Sequence, residues 1–65
     1  MKRRDLLRHL TRHGCEFLRE GSSHSIWENL GNNRRTCIPR HREIPSFTAM
    51  RICKQLEIPL PTEPS

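Results

Sequence analysis

The chain changes from a small-residue loop to an apolar strand along Glu20-Gly21-Ser22-Ser23-His24-Ser25-Ile26-Trp27. The first four of these residues favour a turn, whereas Ser25 to Asn29 carries Ile26 and Trp27, two residue types typical of strands. His24 stands where the loop ends and the strand begins. A side chain at such a junction has a fixed scaffold on one side and an open approach on the other. This stretch therefore predicts a β-hairpin and a candidate functional histidine.

Two amphipathic helices are predicted, one near each end of the chain. Over Arg3 to His13, leucines at positions 6, 7 and 10 form a single apolar stripe. Gly14 follows, where glycine can end a helix at positive φ without a Cβ clash. Near the other end, apolar residues recur at positions 49, 52, 53 and 56. Ser46 is the expected N-cap of this second helix.

Three strands are predicted between the helices, at 15–19, 25–29 and 34–38. Gly31-Asn32-Asn33 joins the last two because these residues tolerate positive φ, and Pro39 ends the third strand because it cannot donate to a ladder. Ile26 and Trp27 point to opposite faces, so the pattern leaves open which face of the second strand is buried. The predicted fold class is α+β, in the order α-β-β-β-α, with two helices packed on one face of a three-stranded antiparallel sheet.

The composition favours an anionic partner. The 65 residues include 12 Lys and Arg against 7 Asp and Glu, a formal net charge of +5. This balance is typical of proteins that bind nucleic acid or an acidic protein, although many basic surfaces are merely solvated. So short a chain forms one domain with a thin core, which disfavours a small-molecule cofactor. Because no apolar run approaches the roughly 20 residues of a membrane span and nothing resembles a signal peptide, we expect a cytoplasmic protein without membrane association.

Neither the cysteines nor the histidines have the spacing of metal ligands. Cys15, Cys37 and Cys53 lack the CxxC pattern of zinc sites, and we expect them to be core or near-core residues in a reducing compartment. His9 and His13 are four residues apart but have no third ligand nearby, so a structural role is expected. The acidic residues are too scattered for a two-metal nuclease site. A nuclease with this sequence is therefore expected to be metal-independent.

His24 is the candidate catalytic residue if the anionic partner is RNA. Near pH 7 an imidazole can remove the proton of a ribose 2′-hydroxyl or protonate the leaving 5′-oxygen, and such transfer contributes roughly 10² to 10⁴ in rate. Ser22 and Ser23 are small enough to let backbone amides approach a phosphate. The alternative is an ordinary surface histidine, because isolated histidines are common and few of them are catalytic.

A second group of cationic residues, Arg40-His41-Arg42, follows the third strand. Guanidinium groups present a planar fork of donors that matches phosphate, so Arg40, Arg42 and the intervening His41 are predicted to contact RNA, together with Arg35 of the same strand. The alternative is a solvated loop with ordinary charges. Arginines at positions 4, 8 and 12 either extend this surface or form a solvated helix face.

Four segments, taken together, resemble the HicA toxins of bacterial HicA–HicB toxin–antitoxin pairs. They are the helix closing on Gly14, the stretch 20–27, the stretch 38–44 and the helix containing 51–56. The resemblance extends to about Pro59, so we expect one domain over 1–58 and a proline-rich tail over 59–65. It implies a fold similar to a double-stranded-RNA-binding domain. It also implies an endoribonuclease that cleaves mRNA, with His24 as the catalytic residue and a HicB antitoxin as the partner.

Two positions depart from the family pattern. Ser23 stands where many relatives carry histidine or lysine, and Glu57 stands where glycine often ends the second helix. Two other functions are compatible with the sequence. One is a non-catalytic RNA-binding module in which His24 is only a contact, and the other is a basic surface that serves an acidic protein partner.

Overall fold

The helices and strands follow one another in the predicted order in the computed structural model, which describes residues 1–61. Their bounds are Arg3–Arg12 for α1, Cys15–Glu20 for β1, His24–Asn29 for β2, Arg34–Pro39 for β3 and Ser46–Leu56 for α2. The three strands form one antiparallel sheet in the order β1-β2-β3. The predicted α-β-β-β-α fold is confirmed. Each strand is one residue longer than predicted, always at the same end of the sheet, where His24 pairs with Pro39.

Cross-strand pairing assigns the strand side chains to two sheet faces. Ser25 and Asn29 are buried and Trp27 is half-buried, so odd-numbered β2 residues face the helices. Pairing settles which face of β2 is buried, which the sequence left open: Trp27 faces the helices and Ile26 lies on the opposite face. This opposite face, called the open face below, carries Glu16, Arg19, His24, Ile26, Glu28, Arg35, Cys37 and Pro39.

Both helices bury their apolar stripes against the same face of the sheet. Leu6 and Leu10 of α1 and Ile52 and Leu56 of α2 are fully buried in one cluster with Ile38 of β3. Side chains of this kind contribute about 1.5 to 3 kcal/mol each when they leave water. The core is thus a single apolar layer between the helices and the sheet.

The cysteines divide between the two sides of the sheet. Cys15 and Cys53 are buried in the core, but Cys37 is exposed, so the core or near-core position predicted for it is wrong. The reason is strand alternation: Thr36 and Ile38 point into the core, so the residue between them must point to the open face.

The start of the chain runs beside the connection between β3 and α2. Arg3 N–H donates to the Arg42 carbonyl at 2.8 Å, and Ile44 N–H donates to the Met1 carbonyl at 2.8 Å. The amino terminus donates in turn to the Ile44 carbonyl at 2.9 Å. These bonds place the first turn of α1 against residues 40–44, which lie about forty positions later in the chain.

The helix termini differ in detail from the predictions. Gly14 has φ +81 after α1, as expected for a helix-ending glycine. The N-cap prediction for Ser46 is wrong, because the Pro45 carbonyl accepts the first helical hydrogen bond, from Ala49 N–H, and Ser46 is already helical. In the β2–β3 turn only Asn33, at φ 61, uses the positive φ that all three predicted turn residues tolerate.

Residues after α2 return to the core and to α1. Ile58 packs against the core, and His9 Nε2 donates to the Pro59 carbonyl at 2.7 Å. His9 thus holds the segment that follows α2 against α1, in keeping with its expected structural role. The predicted tail continues into residues 62–65, which lie outside the described residues, and the boundary at 58 stays a prediction. Neither helix within residues 1–61 has the length and apolar character that crossing a bilayer requires.

Candidate functional site

His24 lies at the rim of the sheet with its ring exposed. It is the first residue of β2 and pairs with Pro39, so its side chain belongs to the open face. Ser23 Oγ and His24 Nδ1 are 3.1 Å apart, a hydrogen-bonding distance. The contact with Ser23 at Nδ1 therefore helps to hold the ring in its orientation. Because an imidazole has two nitrogens with separate roles, Nε2 is the one left to meet a ligand.

The loop that carries His24 is closed by a short backbone contact. Gly21 N–H donates to the His24 carbonyl at 2.7 Å, which turns the chain from β1 into β2. A Cβ at position 21 would lie 3.2 Å from that carbonyl oxygen, closer than ordinary van der Waals contact. Ser22 and Ser23 are exposed at the tip of this loop. The glycine allows the tight closure, and the serines remain accessible beside the imidazole.

Two arginines bind the loop to the rest of the sheet end. Arg40 Nη2 donates to the Gly21 carbonyl at 2.8 Å and forms an ion pair with Glu20. Buried Ser25 donates its hydroxyl to the Glu20 carboxylate at 3.2 Å and accepts from Arg3 Nη2 at 2.9 Å. This chain of polar contacts connects α1, β1, β2 and the segment after β3. It fixes the His24 loop from the side that faces the helices.

An open groove of about 580 Å³ runs between the start of α1 and the segment after β3. We call it the basic groove, because five of its six lining residues are cationic: Lys2, Arg3, Arg4, Arg40 and Arg42, with Leu7 as the sixth. Its lining comes from residues 2–7 and 40–42, which the backbone contacts at the chain start bring together. The groove offers a concentration of positive charge beside the His24 loop.

The structure brings most of the predicted site residues to one end of the molecule. His24, Ser22 and Ser23 lie in or next to the β1–β2 loop, and Arg40 contacts that loop directly. Arg42 lines the basic groove, and His41 is exposed between the two arginines. Each of these residues is exposed to solvent.

Arg35 does not belong to this group. It pairs with Glu28 in the ladder, four positions along β3 from Pro39, and its guanidinium contacts the Glu28 carboxylate at 3.2 Å. At about 3.3 Å of rise per residue, those four positions separate Arg35 from the His24 end by roughly 13 Å. Arg35 shares the open face with His24 but is already paired with an acidic neighbour.

Sequence reasoning did not identify Lys2, Arg3 and Glu20 as site residues. Glu20 is the first residue of the stretch 20–27, and this position was a signal for it, since a residue flanking a functional loop can orient a neighbouring cation. Lys2 and Arg3 had no such signal, because their proximity to Arg40 depends on contacts between distant segments. Within residues 1–61 no three His, Cys, Asp or Glu side chains are grouped closely enough to hold a metal ion.

Comparison with known protein families gives a match. A family model described as HicA toxin of bacterial toxin–antitoxin matches residues 3–58, which is most of the chain. No curated protein and no solved structure matches this chain.

Proposed function

Because this chain belongs to the HicA toxin family of bacterial toxin–antitoxin systems, we propose that it is a metal-independent endoribonuclease that cleaves mRNA, with His24 as general acid/base. The observation that carries the proposal is the exposed His24 ring on a loop that Arg40 holds in place beside the basic groove. An accessible imidazole on a loop that a guanidinium group anchors combines a proton-transfer group with phosphate binding.

The proposed reaction starts with proton transfer at the ring. With Nδ1 supported by Ser23 Oγ, the unprotonated Nε2 of His24 takes the proton of a ribose 2′-hydroxyl. The 2′-oxygen attacks the adjacent phosphorus, the bond from phosphorus to the 5′-oxygen breaks, and that oxygen takes up a proton. The products are a 2′,3′-cyclic phosphate and a 5′-hydroxyl. Each step uses only atoms of the RNA, the imidazole and water, so no metal or cofactor is required.

The cationic side chains are proposed to bind the phosphate backbone. Arg42 and His41 are exposed in the segment after β3, and Arg40 both anchors the loop and presents charge to the groove. Arg35, which lies farther along β3, is proposed as a more distant contact with the RNA. Because binding to phosphates releases counterions, affinity for RNA should fall steeply as salt rises. Ser22 and Ser23 would contact the RNA at the tip of the loop.

The proposed protein partner is a HicB-type antitoxin. The family is that of toxins from toxin–antitoxin pairs, so an antitoxin that covers the exposed His24 loop would neutralise the activity. An acidic antitoxin surface would also match the positive charge of residues 40–42.

The test is cleavage of a defined single-stranded RNA in EDTA by wild type, His24→Ala and His13→Ala. We expect His24→Ala to lose about 100-fold or more in rate, the usual contribution of general acid–base catalysis, while its circular dichroism and RNA binding are unchanged. His13 is an exposed histidine at the end of α1, so its replacement removes the same group elsewhere and should leave the rate unaltered.

Two outcomes would contradict the proposal in different ways. Equal cleavage by wild type and His24→Ala would remove His24 from the mechanism. RNA binding without any chain scission by wild type between pH 5 and 9 would leave a non-catalytic RNA-binding module.

A further inference from the structure

We propose that the basic groove binds a phosphate of the RNA strand other than the phosphate that is cleaved. The proposal rests on the proposed function, which identifies the bound polymer as RNA. It assigns a binding role to Arg4, Arg3 and Lys2. It makes the preferred substrate a single strand that continues well beyond the cleavage site.

The groove keeps an excess of positive charge after its internal contacts are counted. Lys2 contacts the Glu43 carboxylate at 3.3 Å, and Arg40 pairs with Glu20. Arg3 donates only to neutral oxygens, those of Pro39 and Ser25, at 2.9 Å each. Three of the five cationic groups therefore lack a carboxylate contact within residues 1–61, namely Arg3, Arg4 and Arg42.

The chemistry of the groove fits a phosphodiester. Converging guanidinium groups can donate several hydrogen bonds to the same phosphate, which strengthens binding and fixes its orientation. Leu7 adds an apolar surface among the cationic groups, on which a ribose can pack. A compact anion with an adjoining sugar matches this lining better than a flat apolar ligand does.

The groove and His24 lie on different sides of the sheet end. The His24 side chain belongs to the open face, whereas the groove is built by α1, which packs on the other face. Arg40 contacts both regions, through the Gly21 carbonyl of the loop and through its place in the groove lining. A strand cleaved at His24 must pass around the loop to reach the groove, so the two sites take different phosphates.

The experiment compares Arg4→Gln with Arg12→Gln in a His24→Ala background. Both arginines are exposed residues of α1, but only Arg4 lines the groove. Binding is measured as a function of salt with a single-stranded RNA of about 12 nucleotides, a length within the span that one small domain covers. We expect Arg4→Gln to weaken binding several-fold and to reduce the slope of log K against log salt by about 0.7, the value for one lost phosphate contact on a single strand. Arg12→Gln should change neither.

A second measurement tests whether the bound phosphate is distinct from the cleaved one. With the catalytic histidine restored, Arg4→Gln should raise KM for the long RNA and leave the cleavage of a dinucleotide unchanged, because a dinucleotide cannot extend to the groove. Equal losses for both substrates would mean that the groove holds the scissile phosphate, which would overturn the proposal.

The remaining outcomes are also decisive. Identical effects of Arg4→Gln and Arg12→Gln would mean that the groove contributes only general positive charge and not a specific phosphate site, which would overturn the proposal. Unchanged RNA binding with weakened binding of the antitoxin would make the groove a protein interface. Since the binding measurement needs no cleavage, an inactive wild type would defeat the proposed function and leave the groove result standing.

Discussion

At the scale of single residues, Glu57 shows how this chain ends α2 without a glycine. Glu57 adopts the left-handed conformation, with φ 58 and ψ 46. Its N–H donates to the Lys54 carbonyl at 3.1 Å, and Ile58 N–H donates to the Cys53 carbonyl at 3.0 Å. This is the Schellman pattern, and Ile58 completes it by packing against the core. The glutamate therefore forms this type of helix terminus at a conformational cost.

Replacing Glu57 with glycine should relieve that cost. A non-glycine residue in the left-handed region loses roughly 1 to 2 kcal/mol, partly offset by the extra freedom of glycine in the unfolded chain. The Glu57 contact with Arg34, at 3.2 Å, is exposed and contributes little. We expect Glu57→Gly to raise the free energy of unfolding by about 0.5 kcal/mol in urea titrations.

Glu57→Ala is the matched control for that measurement. It removes the same carboxylate but keeps a Cβ at positive φ, so it should not be more stable than wild type. A glycine variant no more stable than the alanine variant would show that the terminus carries no backbone strain.

At the scale of elements, the β2–β3 turn is fastened to the end of α2. Asn29 Nδ2 donates to the Leu56 carbonyl at 2.8 Å, and Asn32 Nδ2 donates to the same oxygen at 3.1 Å. Asn29 Oδ1 accepts from Gly31 N–H at 2.8 Å, which also shapes the turn. The last carbonyls of a helix have no partner within it, so these amides satisfy α2 from a distant turn.

Asn29→Ala should separate the turn from the helix. Asn29 is buried, and the variant removes its bonds to Gly31 N–H and to the Leu56 carbonyl, at a cost of about 1 to 3 kcal/mol. Asn32 is exposed, so water replaces its bond to Leu56 and Asn32→Ala should cost less than about 0.5 kcal/mol. Thermal or urea unfolding of the two variants checks this order, and equal losses would contradict it.

At the scale of the whole molecule, the burial of two thiols makes the free energy of unfolding depend on pH in the alkaline range. Burial raises the pKa of Cys53 to about 11, with a further upward contribution from nearby Cys15, and burial also raises the pKa of Cys15. The folded state thus holds these protons more tightly than the unfolded chain, whose thiols titrate at about 8.5. Their contribution to stability is complete below that pH and is lost as pH rises toward 11.

The free energy of unfolding should therefore fall between about pH 8.5 and 11. The decline should be shallower in Cys53→Ala, which lacks the more strongly shifted thiol, and a Cys37→Ala control should follow wild type. Equal slopes in all three proteins would mean that other groups cause the alkaline loss.

Thiol labelling gives an independent check of the same burial. In the native protein at pH 8 an alkylating reagent should modify Cys37 alone, because it is exposed while Cys15 and Cys53 are in the core. All three should react after unfolding. Rapid native labelling of Cys53 would contradict the described packing.

The local sequence pattern was sufficient to predict the order of the helices and strands. The leucine stripe of α1, the helix-ending Gly14 and the strand interrupted by a small-residue loop all depend on neighbours within a few positions. The prediction was weaker where burial depends on a partner strand. The core or near-core position expected for Cys37 was wrong, and the orientation of Trp27 was open, because pairing decides which alternate residues face the helices.

The sequence by itself determined the α-β-β-β-α order and the stretch that carries His24, because helical periodicity, strand alternation and turn chemistry act over a few consecutive residues. Only the tertiary structure decided which sheet face is open, how Arg3 and Arg40 fix the His24 loop, and that Lys2 and Arg4 join Arg42 in one groove. Those features join residues some twenty to forty positions apart. Contacts at that separation form only when the helices pack on the sheet, so no local pattern encodes them.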